Sequence, residues 1–185
     1  KIKNLHALVG SEIPFSEIGG IKDVYYGYLM DLIAEHYDIV IVDANSSMLH
    51  VTTYPLMKLS NTCFYVLNLD FNNVRNNIRY KDELNSYGIM NKVKYILNQD
   101  IPEDEAKGEN LMFTSKFLED NGGFELAAKI PNLPSSIFFN RGYEGVPLIL
   151  DDKPITLRAR QEILKLANTI YPIKDIEKIL KMKVK

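Results

Sequence analysis

Tryptophan is absent from the 185 residues and cysteine occurs once, as Cys63. A lone thiol closes no internal disulfide, and no Cys/His cluster stands at zinc-ligand spacing. A disulfide-stapled scaffold and a structural zinc domain are therefore both excluded as readings. Cys63 lies inside an apolar run, where it reads as a small buried hydrophobe. A single reduced thiol fits the cytoplasm, with the membrane periphery as the alternative address. No apolar stretch is long enough to cross a bilayer. Positive charge is not in excess: 22 Lys and Arg against 24 Asp and Glu give a net charge of −2. That balance argues against the generic electrostatic grip on nucleic acid, which needs a basic surface. His6, His36 and His50 are scattered and match no metal-ligand spacing.

What remains is an ordinary globular balance, 46% apolar and 25% charged, in a chain long enough for one domain with a core. The opening Asn4 to Gly10 is short, apolar and closed by glycine, which predicts a strand. Ser11 to Gly20 predicts a surface loop. Val24, Tyr25, Tyr28, Leu29, Leu32 and Ile33 repeat at helical spacing and predict a helix over 22–36 with one buried face. The run Tyr37-Asp38-Ile39-Val40-Ile41-Val42-Asp43 holds four consecutive β-branched apolar residues and predicts a fully buried strand of a parallel sheet. A polar loop over 44–50 and a short helix over 54–60 follow. Further strands are predicted over 62–68, 92–98 and 124–130. Helices are predicted over 71–87, with Gly88 as its stop, over 111–120 and over 156–169. The Pro- and Gly-rich stretch 132–153 reads as a long loop. Strand and helix alternate throughout, which predicts an α/β fold with a mostly parallel, doubly wound sheet and flanking helices. No internal repeat and no domain boundary is visible, so 1–185 reads as a single domain.

In open parallel sheets, ligands bind at the carboxyl ends of the strands. Asp43 ends the first buried strand, Asn98 the third, and the Pro131-Asn132 loop follows the fourth. A carboxylate there can hold a Mg²⁺-bound or nucleophilic water. An asparagine offers a donor and an acceptor to a purine edge. The plainer alternative is that each is a strand-end turn residue, since Asp and Asn favour turns.

The serial order of these segments resembles the ParA/MinD family of deviant P-loop ATPases. The strand Tyr37 to Asp43 is similar to the one that leads into switch II, and Asn61 to Asn68 to the next strand. Val93 to Asn98 is similar to the strand ending in a base-reading asparagine. Leu126 to Pro131 is similar to the strand before the adenine-side loop, and Gly145-Val146-Pro147 to the family's approach to its last helix. The resemblance covers nearly the whole chain and would make it the carboxy-terminal portion of that domain. It implies that Asp43 is the switch II carboxylate, close to Mg²⁺ without ligating it directly, with Ala44, Asn45, Ser46 and Ser47 as the switch. It further implies that Asn98 reads adenine and that Pro131 and Asn132 line its other side. ATP and Mg²⁺ are then the implied cofactors of the intact protein. The implied partners are a second copy of the chain and proteins of an assembly or positioning machine. Within the family, Leu69 to Asn76 resembles the pilus-assembly branch, CpaE/TadZ-like.

The chain departs from the family at two places. No Gly-x-x-x-x-Gly-Lys-Ser/Thr phosphate loop occurs, and the family often has Pro-Pro-Gly where this chain has Ala44-Asn45-Ser46-Ser47. The absence implies that this chain alone does not hydrolyse ATP. In the family the phosphate loop precedes the region where this chain begins, and the opening inside a strand-like pattern suggests a fragment or processed chain. The alternative is a non-catalytic scaffold or localisation module that keeps the fold and works through protein contacts. Two further features have plain readings. Arg75 and Arg79 share a helix face that DNA or a partner could meet, but a solvated face explains them. The tail 173–185 is basic with apolar residues at helical spacing, yet lacks the bulky aromatic wedge of a membrane-binding helix, so packing on the core is the expectation.

Overall fold

The computed structural model describes residues 4–8, 23–45, 47, 52–103 and 113–180, and they fall into two compact units, Lys1–Ser60 and Asn61–Lys185.

In the first unit, α1 (Asp23–Ala34) packs on α2 (Thr53–Leu59). The predicted helix is present, but its predicted buried face is not. Val24, Tyr25, Tyr28 and Leu32 are exposed, while Leu29 and Ile33 are half-buried. Helical spacing identifies an apolar stripe but not what covers it. The strand expected over 37–43 is likewise absent: the segment forms no ladder, and Ile41 is 84% exposed. Residues 4–8 are also exposed and outside any strand. The physical reason is common to both. A strand's N–H and C=O groups must be paired by a neighbour, and no described strand pairs with either run.

The second unit is built on a parallel three-stranded sheet, in the order β1 (Cys63–Leu67), β2 (Val93–Asp100), β3 (Leu126–Pro131). Cys63 aligns with Val93 and Leu67 with Leu97. Three successive residues of the central strand, Tyr95, Ile96 and Leu97, are buried. Successive side chains point to opposite faces, so both faces of β2 are covered, as its β-branched and aromatic run predicts.

The crossover between β1 and β2 is α3 (Phe71–Ser86). It starts on Asp70, whose carboxylate accepts from the Asn73 N–H at 2.8 Å, the usual satisfaction of an otherwise unpaired first-turn donor. It stops at Gly88, which has φ of +69°, while the Ile89 N–H reaches back to the Leu84 carbonyl at 3.0 Å. That is the left-handed glycine ending the sequence predicted. Between β2 and β3 lies α4 (Ser115–Asp120), capped by Thr114, whose hydroxyl accepts from the Phe117 N–H. It is shorter than predicted, and residues 104–112 lie outside the described residues.

The stretch 132–153 is not the expected loop. It holds α5 (Ser135–Glu144), ended at Gly145 with φ of +65°, and a short 3₁₀ turn over Leu148–Leu150. The last long helix, α6 (Leu157–Ile170), packs along β3, and α7 (Ile176–Leu180) packs on α6. Two apolar clusters result. Leu67, Val74, Tyr95, Leu97, Leu118 and Phe124 join β1, α3, β2 and α4. Leu133, Ile137 and Ala159 join α5 to α6.

Candidate functional site

The carboxyl ends of the three strands lie in the second unit: Asn68 follows β1, Asn98 to Asp100 close β2, and Asn132 follows β3. After β1, the Asn68 N–H donates to Asn73 Oδ1 at 2.9 Å. Asn77 Nδ2 donates to the carbonyl and to Oδ1 of the same Asn73, at 2.7 and 3.0 Å. This network fixes the turn from strand to helix.

The end of β2 is irregular. Leu97 aligns with Lys129, but the next aligned pair is Asp100 with Pro131, so β2 takes three steps where β3 takes two. One extra residue in one strand is a β-bulge, and within it Gln99 has φ of +58°. Asp100 turns inward and is only 2% exposed. Its Oδ2 accepts from Arg158 Nη2 at 3.0 Å, its carbonyl accepts from the Asn132 N–H at 2.8 Å, and its Oδ1 has no partner.

Burial pushes the Asp100 carboxyl above its ordinary value, while the Arg158 guanidinium, the Ser115 hydroxyl and Lys129 pull it back and Glu162 pushes it further up. A folded-state value above the unfolded 3.8 means that the folded protein holds this proton more tightly. Ionised Asp100 therefore costs stability above its folded value, and that cost is relieved as pH falls toward the unfolded value. The difference in stability between the natural protein and Asp100→Asn is expected to shift in favour of the natural protein as pH falls from 7 to 4. Urea midpoints across that range check this. A shift toward the variant would contradict it.

At the end of β3, Pro131 is half-buried; Asn132, the next residue, is exposed, and α5 begins three residues on. Gln99, Asn132, Leu133, Pro134, Ser135 and Phe138 line an open depression of about 500 Å³. Its lining mixes two carboxamides and a serine with Leu133, Pro134 and the Phe138 ring. Of the predicted base-side residues, Asn132 lines this depression. Pro131 precedes it in the chain, and Asn98 lies within β2, half-buried, two residues before the strand's end. Gln99 and Phe138 were missed. Phe138 fell in the stretch read as loop, and the bulge that exposes Gln99 arises from the pairing of two distant strands. No sequence signal marks it.

Asp43 belongs to the first unit, exposed in the extended segment, with Ala44 and Asn45 beyond it. The Ser47 N–H donates to Asn45 Oδ1 at 2.8 Å, and Thr53 Oγ1 donates to the Asn45 carbonyl at 3.0 Å. The segment is thus tied to α2 by its own turn. Ser46 lies outside the described residues. Among the described residues, no group of three His, Cys, Asp or Glu side chains could hold a metal ion. The two halves of an ATP–Mg²⁺ complex therefore fit this chain differently. On the base side, the depression offers the carboxamides of Gln99 and Asn132 and the ring of Phe138. For the triphosphate, the chain offers Asp43 but no glycine-rich loop with a lysine.

No protein-family model and no curated relative matches the sequence. Solved structures do match it. The MinD cell division protein of Aquifex aeolicus is similar with a TM-score of 0.64 and 21% identity, over 83% of this chain and 62% of that one. The MinC:MinD cell division protein complex of Aquifex aeolicus is similar with a TM-score of 0.63 and 20% identity, over 83% of this chain and 61% of that chain. The chain therefore has an α/β fold of the P-loop NTPase-like kind, and it spans about three-fifths of the length of these structures.

Proposed function

We propose that these residues are the base-binding and switch-bearing part of a ParA/MinD-type ATPase domain, a nucleotide-dependent switch that dimerises and localises a cellular machine. The observation that carries the reading is the depression at the carboxyl ends of β2 and β3, lined by Gln99, Asn132 and Phe138, in a fold shared with MinD. In parallel α/β sheets that is where ligands bind. In this reading Asn98, near the end of β2, reads the adenine, and Pro131 and Asn132 line its other side. Asp43 and residues 44–47 form the switch that senses the phosphate end. Mg²⁺·ATP, when bound, supplies the triphosphate whose state the switch reads, while these 185 residues themselves carry no phosphate loop. The protein works in the cytoplasm or at the membrane periphery. The order and character of Leu69 to Asn76 support the CpaE/TadZ-like branch, with pilus or secretion assembly as the machine and plasmid-type partition as the alternative.

Asn132→Ala, in the full-length protein, is expected to weaken a fluorescent ATP analogue about tenfold, as loss of one well-made hydrogen-bonding group does. Asp43→Ala is expected to leave binding in EDTA unchanged and to remove the gain that Mg²⁺ gives. Analogue binding that neither substitution alters would sink the site assignment.

A second reading is favoured by one observation. The side chain and carbonyl of Asn45, in the middle of the switch segment, are already engaged with Ser47 and Thr53. A segment satisfied by its own turn suits a scaffold that keeps the fold and acts through protein contacts. Absence of nucleotide binding by the full-length protein would favour that reading.

A further inference from the structure

Asp100 is 2% exposed and its Oδ1 has no partner. The arginine that meets its Oδ2 at 3.0 Å, Arg158, has a side chain 50% exposed. A buried carboxylate held by one half-solvated cation regains only part of what it loses on leaving water. Burial accordingly outweighs the attraction and holds the carboxyl above its ordinary value. An uncharged side chain of the same shape would serve the fold at least as well, so stability does not account for a carboxylate at this position.

Its place in the fold supplies the reason. Asp100 closes the bulge at the end of β2, and Gln99, inside the bulge, has φ of +58°. Glutamine enters the left-handed region rarely, and stays there only where its surroundings hold it. The Asp100 side chain gives that hold from α6, through Arg158 in the first turn of the helix. The Asp100 carbonyl accepts the Asn132 N–H at 2.8 Å. One residue thus ties the end of β2, the first residue after β3 and the start of α6 together. Asp100 is not on the lining of the depression, but the residues on either side of its ties, Gln99 and Asn132, both are.

We infer that Asp100 is a positioning residue of this site: its ionised side chain, drawn to Arg158, sets the bulge and the loop after β3 in their binding conformation, and protonation of Asp100 loosens both. This rests on the nucleotide reading above and concerns its regulation. The groups that face the carboxyl are Arg158 and Glu162 of α6, Lys129 of β3 and Ser115 of α4. Lys129 is engaged by Glu119 at 2.7 Å, and Glu162 by the Lys129 N–H at 3.0 Å and by Lys165 at 3.9 Å. Arg158 is therefore the cation that answers to the charge on Asp100. Acid then has two opposed effects. Neutralising Asp100 relieves its desolvation and favours the fold, while it releases the brace and weakens the ligand. A residue that served the fold alone would not set affinity against stability.

The test uses the full-length protein, a ribose-labelled fluorescent ATP analogue with Mg²⁺, and thermal melts, on the natural sequence, Asp100→Asn, Arg158→Gln and the double variant. At pH 7 each single variant is expected to bind the analogue about fivefold more weakly, and the double variant no more weakly than either, since all three lack the same brace. As pH falls from 7 to 4, the advantage of the natural protein over each variant is expected to shrink toward unity. Taking the ratio at each pH cancels the protonation of the ligand itself. Arg158 is half-exposed, so Arg158→Gln carries the comparison if the melts show that Asp100→Asn does not fold. Equal affinity of the natural protein and Arg158→Gln at pH 7, or a ratio that does not change with pH, overturns the inference and leaves the nucleotide site standing. A natural protein that binds the analogue at none of these pH values overturns both.

Discussion

Phe124→Ala lowers the stability of the 61–185 unit by about 3–5 kcal/mol, read as a fall in the urea midpoint with an unchanged slope. Phe124 is 2% exposed and meets Tyr95 edge-to-face, with ring centroids 4.8 Å apart. Lys81 adds a second tie from α3: its ammonium donates to the Gly122 and Gly123 carbonyls at 2.9 and 2.6 Å, and lies 4.9 Å from the Phe124 ring centroid. The space around the ring is full. A Cβ on Gly122 would lie 2.6 Å from Phe124 Cδ2 and 2.8 Å from the Leu118 carbonyl oxygen. Truncation therefore removes a large buried surface, an aromatic pair and a cation–π contact together, from a corner whose backbone is pinned and cannot collapse into the void. Phe124→Leu should cost markedly less. A loss below about 1 kcal/mol in Phe124→Ala would mean that this corner is looser than the geometry requires.

Arg160→Met is the second large effect, and it acts on the carboxy-terminal helix. Arg160 is 2% exposed, with Nε donating to the Ile149 carbonyl at 3.0 Å and Nη2 to the Leu180 carbonyl at 2.8 Å. One guanidinium therefore joins the 3₁₀ turn after α5 to the last turn of α7, where a cation also suits the helix dipole. Methionine fills a similar volume but donates nothing, so both carbonyls lose a charged donor. The expected cost is about 2–4 kcal/mol, together with local release of the helix. Tyr171 is exposed at the junction, and chymotrypsin should cut there in the variant before global unfolding. Protection equal to that of the natural protein would contradict the clamp.

Much of the second unit was legible because its signals are local. Cys63 to Leu67 is a continuous apolar run, Val93 to Leu97 is apolar but for Lys94, and Gly88 takes the left-handed conformation after α3. Helix α5 was hidden because Pro134, Gly142 and Gly145 read as loop punctuation, although a proline before the first turn and a glycine after the last are compatible with a helix. The 37–43 segment was misread for a different reason. Ile39 to Val42 record a preference for burial in a sheet, but a ladder is a property of two strands, and no described strand stands opposite.

The site divides along the same line. Asn132 could be read from the sequence, because a polar residue after a buried strand marks a carboxyl end. Gln99 could not, because its exposure and its positive φ follow from a shift in register between β2 and β3. Asp100 looked like one more residue past the strand, and only the packing of Arg158 from α6 makes it the anchor of that end.

The most direct test of the account is titration of a fluorescent ATP analogue, with Mg²⁺, into the 185-residue chain and into a form extended upstream. The account predicts that only the extended form binds, since the chain holds the base-side depression and Asp43 but no phosphate loop. Failure of both forms to bind would contradict the switch reading and leave a scaffold that acts through its protein partners.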